Sequence, residues 1–390
     1  MSILHPSQRL RVLVVDDSAL VRKAITDALS QDPEIEVVGS ACDPYVAREK
    51  IMRLDPDVIT LDLEMPRMDG LTFLRILMQH HPMPVVVVSS LTQAGSQAAM
   101  EALEAGAVDV LAKPNGTMSV GSLAGRLAYH VKAAAASSRF RPSRQREERA
   151  AVARPEPART APAVAARPIS PPVSPPVSVA PAPPSQAAYT GRVDSRQIIL
   201  IGASTGGVEA LRTVLPHLPT GLPPIAIVQH ISPYFSKAVA ARLDSMTAFD
   251  VHEAEDGMIL RRGMCVIAPG DFHMAVSWQG DGFRTRLMQS PPVHHCRPSV
   301  DVLFRSAAET AGSHVVAALL TGMGSDGALG MEAIHQAGGR TIAEHERTCV
   351  VYGMPRAAIE IGAVDQVVPL SQVAAAIVEA VARRPAAANA

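Results

Sequence analysis

Short apolar runs alternate with amphipathic stretches over residues 9 to 132. Val12–Val15 predicts a strand ending at Asp16-Asp17, Val37-Val38-Gly39 a second, and Val58–Leu61 a third ending at Asp62. Val85–Val88 predicts a fourth ending at Ser89-Ser90, and Val108–Leu111 a fifth followed by Lys113-Pro114. Between them Ala19–Leu29, Val46–Leu54, Gly70–Gln79 and Gln97–Ala105 carry helical periodicity, and Ser122–Lys132 closes the unit. Strands that are apolar on both faces and separated by helices imply a parallel sheet covered on both sides. Such sheets hold their ligands outside the carboxyl ends of the strands.

The pattern breaks over residues 133 to 193. Prolines from Pro155 to Pro184 are separated by Ala, Val and Ser, a composition that cannot bury enough surface to fold and favours an extended spacer. From 194 to 384 the alternation resumes. Ile198–Ile201 predicts a buried strand that runs into Gly202-Ala203-Ser204-Thr205-Gly206-Gly207, then a helix with Val208, Leu211, Val214 and Leu215 on one face. Pro224–Gln229 predicts a strand ending at His230, and Val315–Leu320 one ending at Thr321. Val251–Glu253, Gly263–Pro269, Arg340–Ala343 and Ala363–Val368 are further strands, and Met274–Trp278 with Phe283–Leu287 forms a hairpin. Helices are predicted over Lys237–Leu243, Val300–Ala311, Ala328–Ala337, Met354–Ile361 and Ser371–Ala382. This second unit is a doubly wound, mainly parallel α/β domain.

Composition narrows the function. The 390 residues carry a net charge of −1, and no clustered basic face marks a nucleic-acid partner. The four cysteines, Cys42, Cys265, Cys296 and Cys349, form no C-x-x-C pair and read as reduced thiols. No apolar run is long enough to cross a bilayer, so a soluble cytoplasmic protein without membrane insertion is expected.

The polar residues at the strand ends carry the chemistry. Asp16, Asp17 and Asp62 converge at one edge of the first sheet, where three carboxylates repel unless a hard cation such as Mg²⁺ joins them. The Ser89 hydroxyl and the Lys113 ammonium at the same edge suit the oxygens of a phosphoryl group. In the second unit, Gly202 to Gly206 spells G-x-S-x-G between a strand and a helix. That turn fits a nucleophile or an anion cradle at a helix N-terminus. Serine needs a base, and a histidine base needs a carboxylate to fix its tautomer. His230 and Asp326 stand at matching strand ends. Their order, Ser, His, Asp, departs from that of the α/β-hydrolases. Candidate oxyanion donors are N–H groups near Thr205 and Gly206, at the start of the helix after Ser204. His294-His295-Cys296 could ligate a metal but shows no acidic or histidine partner at useful spacing; with His273 and the stretch to Asp301 it reads as loops bordering the site.

The stretches LVVDDSALVRKAI, ITLDLEMPRMDG, VVVVSSLT and VDVLAKP resemble the receiver domain of response regulators, which has a flavodoxin-like five-stranded parallel sheet. The resemblance implies that Asp62 accepts a phosphoryl group from a chemotaxis histidine kinase. It also implies that Asp16, Asp17 and Asp62 hold Mg²⁺ with a backbone carbonyl near Glu64, and that Ser89 and Lys113 bind the phosphoryl oxygens. The family's often aromatic switch position falls on Val110 here. The stretches GASTGGVEAL, IVQHI, VIAPGDFHM, RPSVDVLF, LLTGMGSDGALGM and CVVYGMPRAA resemble the catalytic domain of the chemotaxis protein-glutamate methylesterases, the CheB family. That resemblance implies Ser204 as nucleophile, His230 as base, Asp326 as its orienter and the Met323 N–H at the oxyanion. No cofactor is expected in the catalytic domain. Methyl-accepting chemoreceptors would be the substrate, and deamidation of receptor glutamines a second activity. An unphosphorylated receiver would pack over the catalytic cleft.

Overall fold

The computed structural model describes residues 9–90, 92–113, 120–137 and 188–383. The Pro-rich run expected as a spacer lies mostly outside them, as does Pro114. In the N-terminal unit the strands are β1 (Leu10–Val15), β2 (Ile35–Ala41), β3 (Val58–Asp62), β4 (Val85–Ser89) and β5 (Asp109–Ala112). The helices are α1 (Ala19–Leu29), α2 (Pro44–Leu54), α3 (Gly70–His80), α4 (Gln93–Glu104) and α5 (Val120–Ala135). The strands form one parallel sheet in the order β2-β1-β3-β4-β5. β3 and β4 are buried along their whole length, as their mostly apolar sequences require. Chain direction across the sheet reverses between β1 and β3, so Asp16 and Asp62 flank the switch point.

The C-terminal unit opens with β6 (Ile198–Ala203) and α6 (Gly207–Val214), followed by β7 (Ile225–Gln229), α7 (Pro233–Asp244), β8 (Asp250–Glu253), β9 (Ile259–Leu260) and β10 (Met264–Ile267). A hairpin of β11 (His273–Gln279) and β12 (Gly282–Met288) leads to α8 (Val300–Ala311), β13 (Val315–Leu319), α9 (Ala328–Gln336), β14 (Arg340–Glu344), α10 (Met354–Glu360), β15 (Gln366–Val368) and α11 (Leu370–Ala382). Seven strands make a parallel sheet in the order β15-β14-β13-β6-β7-β10-β8. The antiparallel content is segregated in a separate three-stranded sheet, β11-β12-β9. From central β6 the chain steps to β7 on one side and later returns at β13 on the other, which puts the switch point at β6 and β13.

Two element boundaries differ from the pattern in instructive ways. Helix α7 starts at Pro233, ahead of the predicted Lys237, because Ser232-Pro233 supplies an N-cap position and a proline in the first turn, where its missing N–H costs nothing. Strand β9 has only two residues, too few for alternation to register. Among the described residues no helix is long and apolar enough to cross a membrane.

The two units touch. Helix α5 packs Leu127 and Val131 into one apolar cluster with Val350 and Val351 of the C-terminal unit. Arg242 of α7 donates to Glu104 at the end of α4, at 2.7 Å. The Arg126 guanidinium reaches the Ser232 hydroxyl at 2.7 Å.

Candidate active site and phosphoryl-acceptor site

At the carboxyl edge of the first sheet, Asp16 and Asp62 are buried and Asp17 is exposed. The Lys113 ammonium lies 2.7 Å from Asp62 Oδ2 and 3.2 Å from Asp16 Oδ2. The Glu64 N–H donates to Asp62 Oδ1 at 3.0 Å and the Ser18 N–H to Asp16 Oδ1 at 2.9 Å. Burial raises Asp62 to about 6 against the lowering effect of Lys113, and burial raises Asp16 as well. One ammonium therefore undercompensates this edge. Asp16, Asp17 and Asp62 each offer a carboxylate oxygen within 4.8 Å of the others, a hard-oxygen donor set that fits Mg²⁺. Ser89 is buried at the end of β4, and Val110 is buried within β5.

In the second unit the turn after β6 carries Ser204, fully buried. Gly206 adopts φ 77° as α6 begins, and a Cβ there would lie 2.6 Å from Val350. Only glycine meets both demands. The Ser204 N–H donates to Thr321 O at 2.9 Å, tying the turn after β6 to the one after β13. His230 follows β7 directly, and its Nδ1 lies 3.0 Å from Ser204 Oγ. Its Nε2 lies 2.7 Å from Asp326 Oδ2. An ionised carboxylate can only accept, so Nε2 carries the proton of the neutral ring and Nδ1 is left to accept from the serine hydroxyl.

Asp326 lies past the end of β13, in the loop leading to α9, and is held by the N-terminus of α8. Its Oδ1 accepts from the Ser299 hydroxyl at 2.7 Å and from the Asp301 N–H at 3.0 Å, and its Oδ2 accepts from the Val300 N–H at 2.7 Å. Burial works to raise its pKa, but His230 and these donors outweigh it and hold the carboxyl below its ordinary range. Burial likewise works to lower His230, yet the Cys296 sulfur and the Asp326 carboxylate lift it above the ordinary histidine range.

Further residues border the candidate nucleophile. Cys296 Sγ lies 3.4 Å from His230 Nδ1, so this cysteine borders the candidate nucleophile. The Gln229 amide donates to Ser204 O at 2.8 Å and His230 O at 3.1 Å. His294 does have an acidic partner, contrary to the reading from spacing: its Nε2 lies 2.9 Å from buried Asp301 on the first turn of α8. Together with Asp326 these two could face a cation, but Asp326 is already saturated by three donors from α8 and by His230. His273 sits in β11, with its Nε2 3.1 Å from Pro291 O and not in the serine–histidine–aspartate chain.

The first unit closes this site. The Tyr129 hydroxyl of α5 donates to Met323 O at 2.8 Å and lies 3.4 Å from Ser204 Oγ. Burial raises the Tyr129 pKa, so the phenol stays protonated and can donate. Asp109 of β5 accepts from the Thr205 hydroxyl at 3.1 Å and lies 2.7 Å from His130 Nδ1. Met323 and Thr205, both expected at an oxyanion site, thus flank Ser204 and meet the receiver-like unit.

Both units match families of known proteins. The family model for the response regulator receiver domain matches residues 12–120, and that for the CheB methylesterase matches residues 199–377. The protein-glutamate methylesterase/protein-glutamine glutaminase 2 of Syntrophus aciditrophicus is 44% identical over 374 residues, covering 96% of this chain and 99% of that protein. The protein of the same name from Pseudomonas aeruginosa is 45% identical over 375 residues, covering 96% of this chain and 98% of that one. The solved CheB methylesterase catalytic domain of Thermotoga maritima is 42% identical, with a TM-score of 0.46, over 47% of this chain and 97% of that one.

Proposed function

The chain belongs to the CheB methylesterase family, and we propose that it hydrolyses glutamate γ-methyl esters on chemoreceptors under control of its receiver domain. The observation that carries the assignment is the hydrogen-bonded chain from Ser204 Oγ through His230 to Asp326. Ser204 attacks the ester γ-carbonyl while His230 Nδ1 takes its proton. The tetrahedral oxyanion is met by backbone N–H groups at Met323 and Thr205. His230 then returns the proton to the departing methoxy oxygen, releasing methanol. Water, deprotonated by the same nitrogen, hydrolyses the acyl-enzyme to the glutamate and restores the serine. A receptor glutamine follows the same course with ammonia leaving, which gives the glutaminase activity named for the relatives.

Asp62 is the phosphoryl acceptor, with a chemotaxis histidine kinase as donor. Asp16, Asp17 and Asp62 would hold Mg²⁺, which supplies charge neutralisation for the incoming phosphoryl group. Ser89 and Lys113 bind the phosphoryl oxygens. Residues 9–132 make up the receiver, 133–193 the linker and 194–384 the catalytic domain, and the protein works in the cytoplasm, where receptor helices present their esters.

Methanol release from methylated receptor tests the reading. Ser204→Ala is expected to abolish it, and small esters are expected to be poor substrates for the wild type. Unchanged release by Ser204→Ala would overturn the assignment.

A further inference from the structure

Strand β14 ends at Glu344, a carboxylate with no exposed surface and no place in the hydrolytic cycle above. The β13–β14 ladder stops at the pair Leu319 and Ala343. Beyond it the backbone of β13 turns away, and the Glu344 side chain takes over from the ladder: its Oε2 accepts from the Thr321 N–H at 2.9 Å. Thr321 is the hub of a strap under the nucleophile. Its carbonyl accepts from the Ser204 N–H at 2.9 Å. Its hydroxyl donates to Thr205 O at 3.0 Å and accepts from the Val351 N–H at 2.9 Å. The next residue, Gly322, lies so close that a Cβ there would sit 2.6 Å from Ser204 Cβ. The Gly322 N–H donates to Val351 O at 3.0 Å, and its carbonyl accepts from Gly353 and Met354. Met323 follows.

We infer that Glu344 is a positioning residue for the esterase reaction, holding the Thr321–Met323 strap so that Ser204 and the Met323 N–H keep their mutual register. A buried carboxyl is costly unless it is hydrogen-bonded, and a leucine would fill the same space without that cost. Its presence is explained by the acceptor it gives to Thr321, whose N–H has left the ladder. A displaced strap would move the oxyanion donor while leaving the receptor-binding surface intact. The effect should therefore fall on kcat rather than KM. The inference rests on Ser204 being the nucleophile.

The test uses the full chain, with kcat and KM for methylated receptor and thermal unfolding measured for Glu344→Ala, Glu344→Gln, Thr321→Val and Ser204→Ala. Glu344→Ala is expected to lower kcat by about tenfold to a hundredfold, with KM within about twofold, as partial loss of an oxyanion donor does. Glu344→Gln keeps an acceptor for Thr321 and should recover most of that loss. Thr321→Val loosens the strap from its other side, without touching the carboxyl, and should also lower kcat, so the inference stays testable if Glu344→Ala does not fold. Full kcat in Thr321→Val together with any folded Glu344→Ala overturns the inference, as does a Glu344→Gln as impaired as Glu344→Ala. Loss of activity in Ser204→Ala beside full activity in the strap variants defeats this inference alone, whereas an active Ser204→Ala defeats the reading beneath it.

Discussion

At the scale of single residues, the site is a problem of placing one proton. His230 presents Nδ1 to Ser204 and Nε2 to Asp326. Asparagine at 326 could offer its N–H₂ to the ring and favour the wrong tautomer, so Asp326→Asn should lower kcat by about a thousandfold or more with receptor binding retained. Steady-state kinetics on methylated receptor checks this. Only the neutral imidazole can take the serine proton. Because the surroundings of His230 raise its pKa, the ring stays protonated to a higher pH than an ordinary histidine. The kcat/KM profile should therefore fall as pH drops through a value above about 6.5. A limb at or below that value would show that Cys296 and Asp326 do not raise the ring. Ser299 gives the only hydroxyl among the donors from α8 that Asp326 accepts. Ser299→Ala should cost on the order of 2 kcal/mol of stability, the worth of a hydrogen bond to a buried charge, measurable by denaturant unfolding.

At the scale of elements, helix α5 has two jobs. It covers the receiver sheet, and it carries Tyr129 into the catalytic cleft, where the phenol bonds Met323 O beside Ser204. A receptor glutamyl side chain and Tyr129 cannot both occupy that space. Tyr129→Ala in the full chain should raise methanol release without phosphorylation by several-fold, while leaving the rate of the phosphorylated chain near wild type. This contact was not legible in the sequence. Tyr129 sits in an ordinary amphipathic pattern, and only the docking of one unit on the other gives it a partner. Asp109 and Glu344 carry no sequence signal for the same reason, since each acts through a tertiary neighbour far along the chain, whereas Cys296 and Ser299 fall in the stretch read as bordering the site. The strand ends were legible, because an apolar run that stops at a polar residue announces both the strand and the edge where ligands bind. Ser204, His230, Asp16, Asp17 and Asp62 are candidates read that way. Asp326 was read as standing at a strand end like His230, but it lies in a glycine-rich loop beyond the end of β13 and reaches His230 from there.

At the scale of the molecule, two doubly wound sheets each place chemistry at their own switch point, and one sheet's helix covers the other's site. The fold class followed from the alternation of apolar strands and amphipathic helices, and the separate β11-β12-β9 sheet was only half visible, because β9 is too short to show a period. The contacts between the two units lie on the α4–β5–α5 side of the receiver, where Glu104 meets Arg242, Asp109 meets Thr205 and Tyr129 meets Met323, and the proposed regulation would run through them. The proposed phosphorylation at Asp62 would change the charge at the carboxyl ends of β3, β4 and β5, next to the elements that make those contacts. The account as a whole is tested most directly by methanol release from methylated receptor, measured on the full chain with and without a small-molecule phosphodonor, for the wild type and for Asp62→Asn. A rate that rises with the phosphodonor in the wild type and stays at the basal level in Asp62→Asn is the predicted result; equal wild-type rates with and without it would contradict the account.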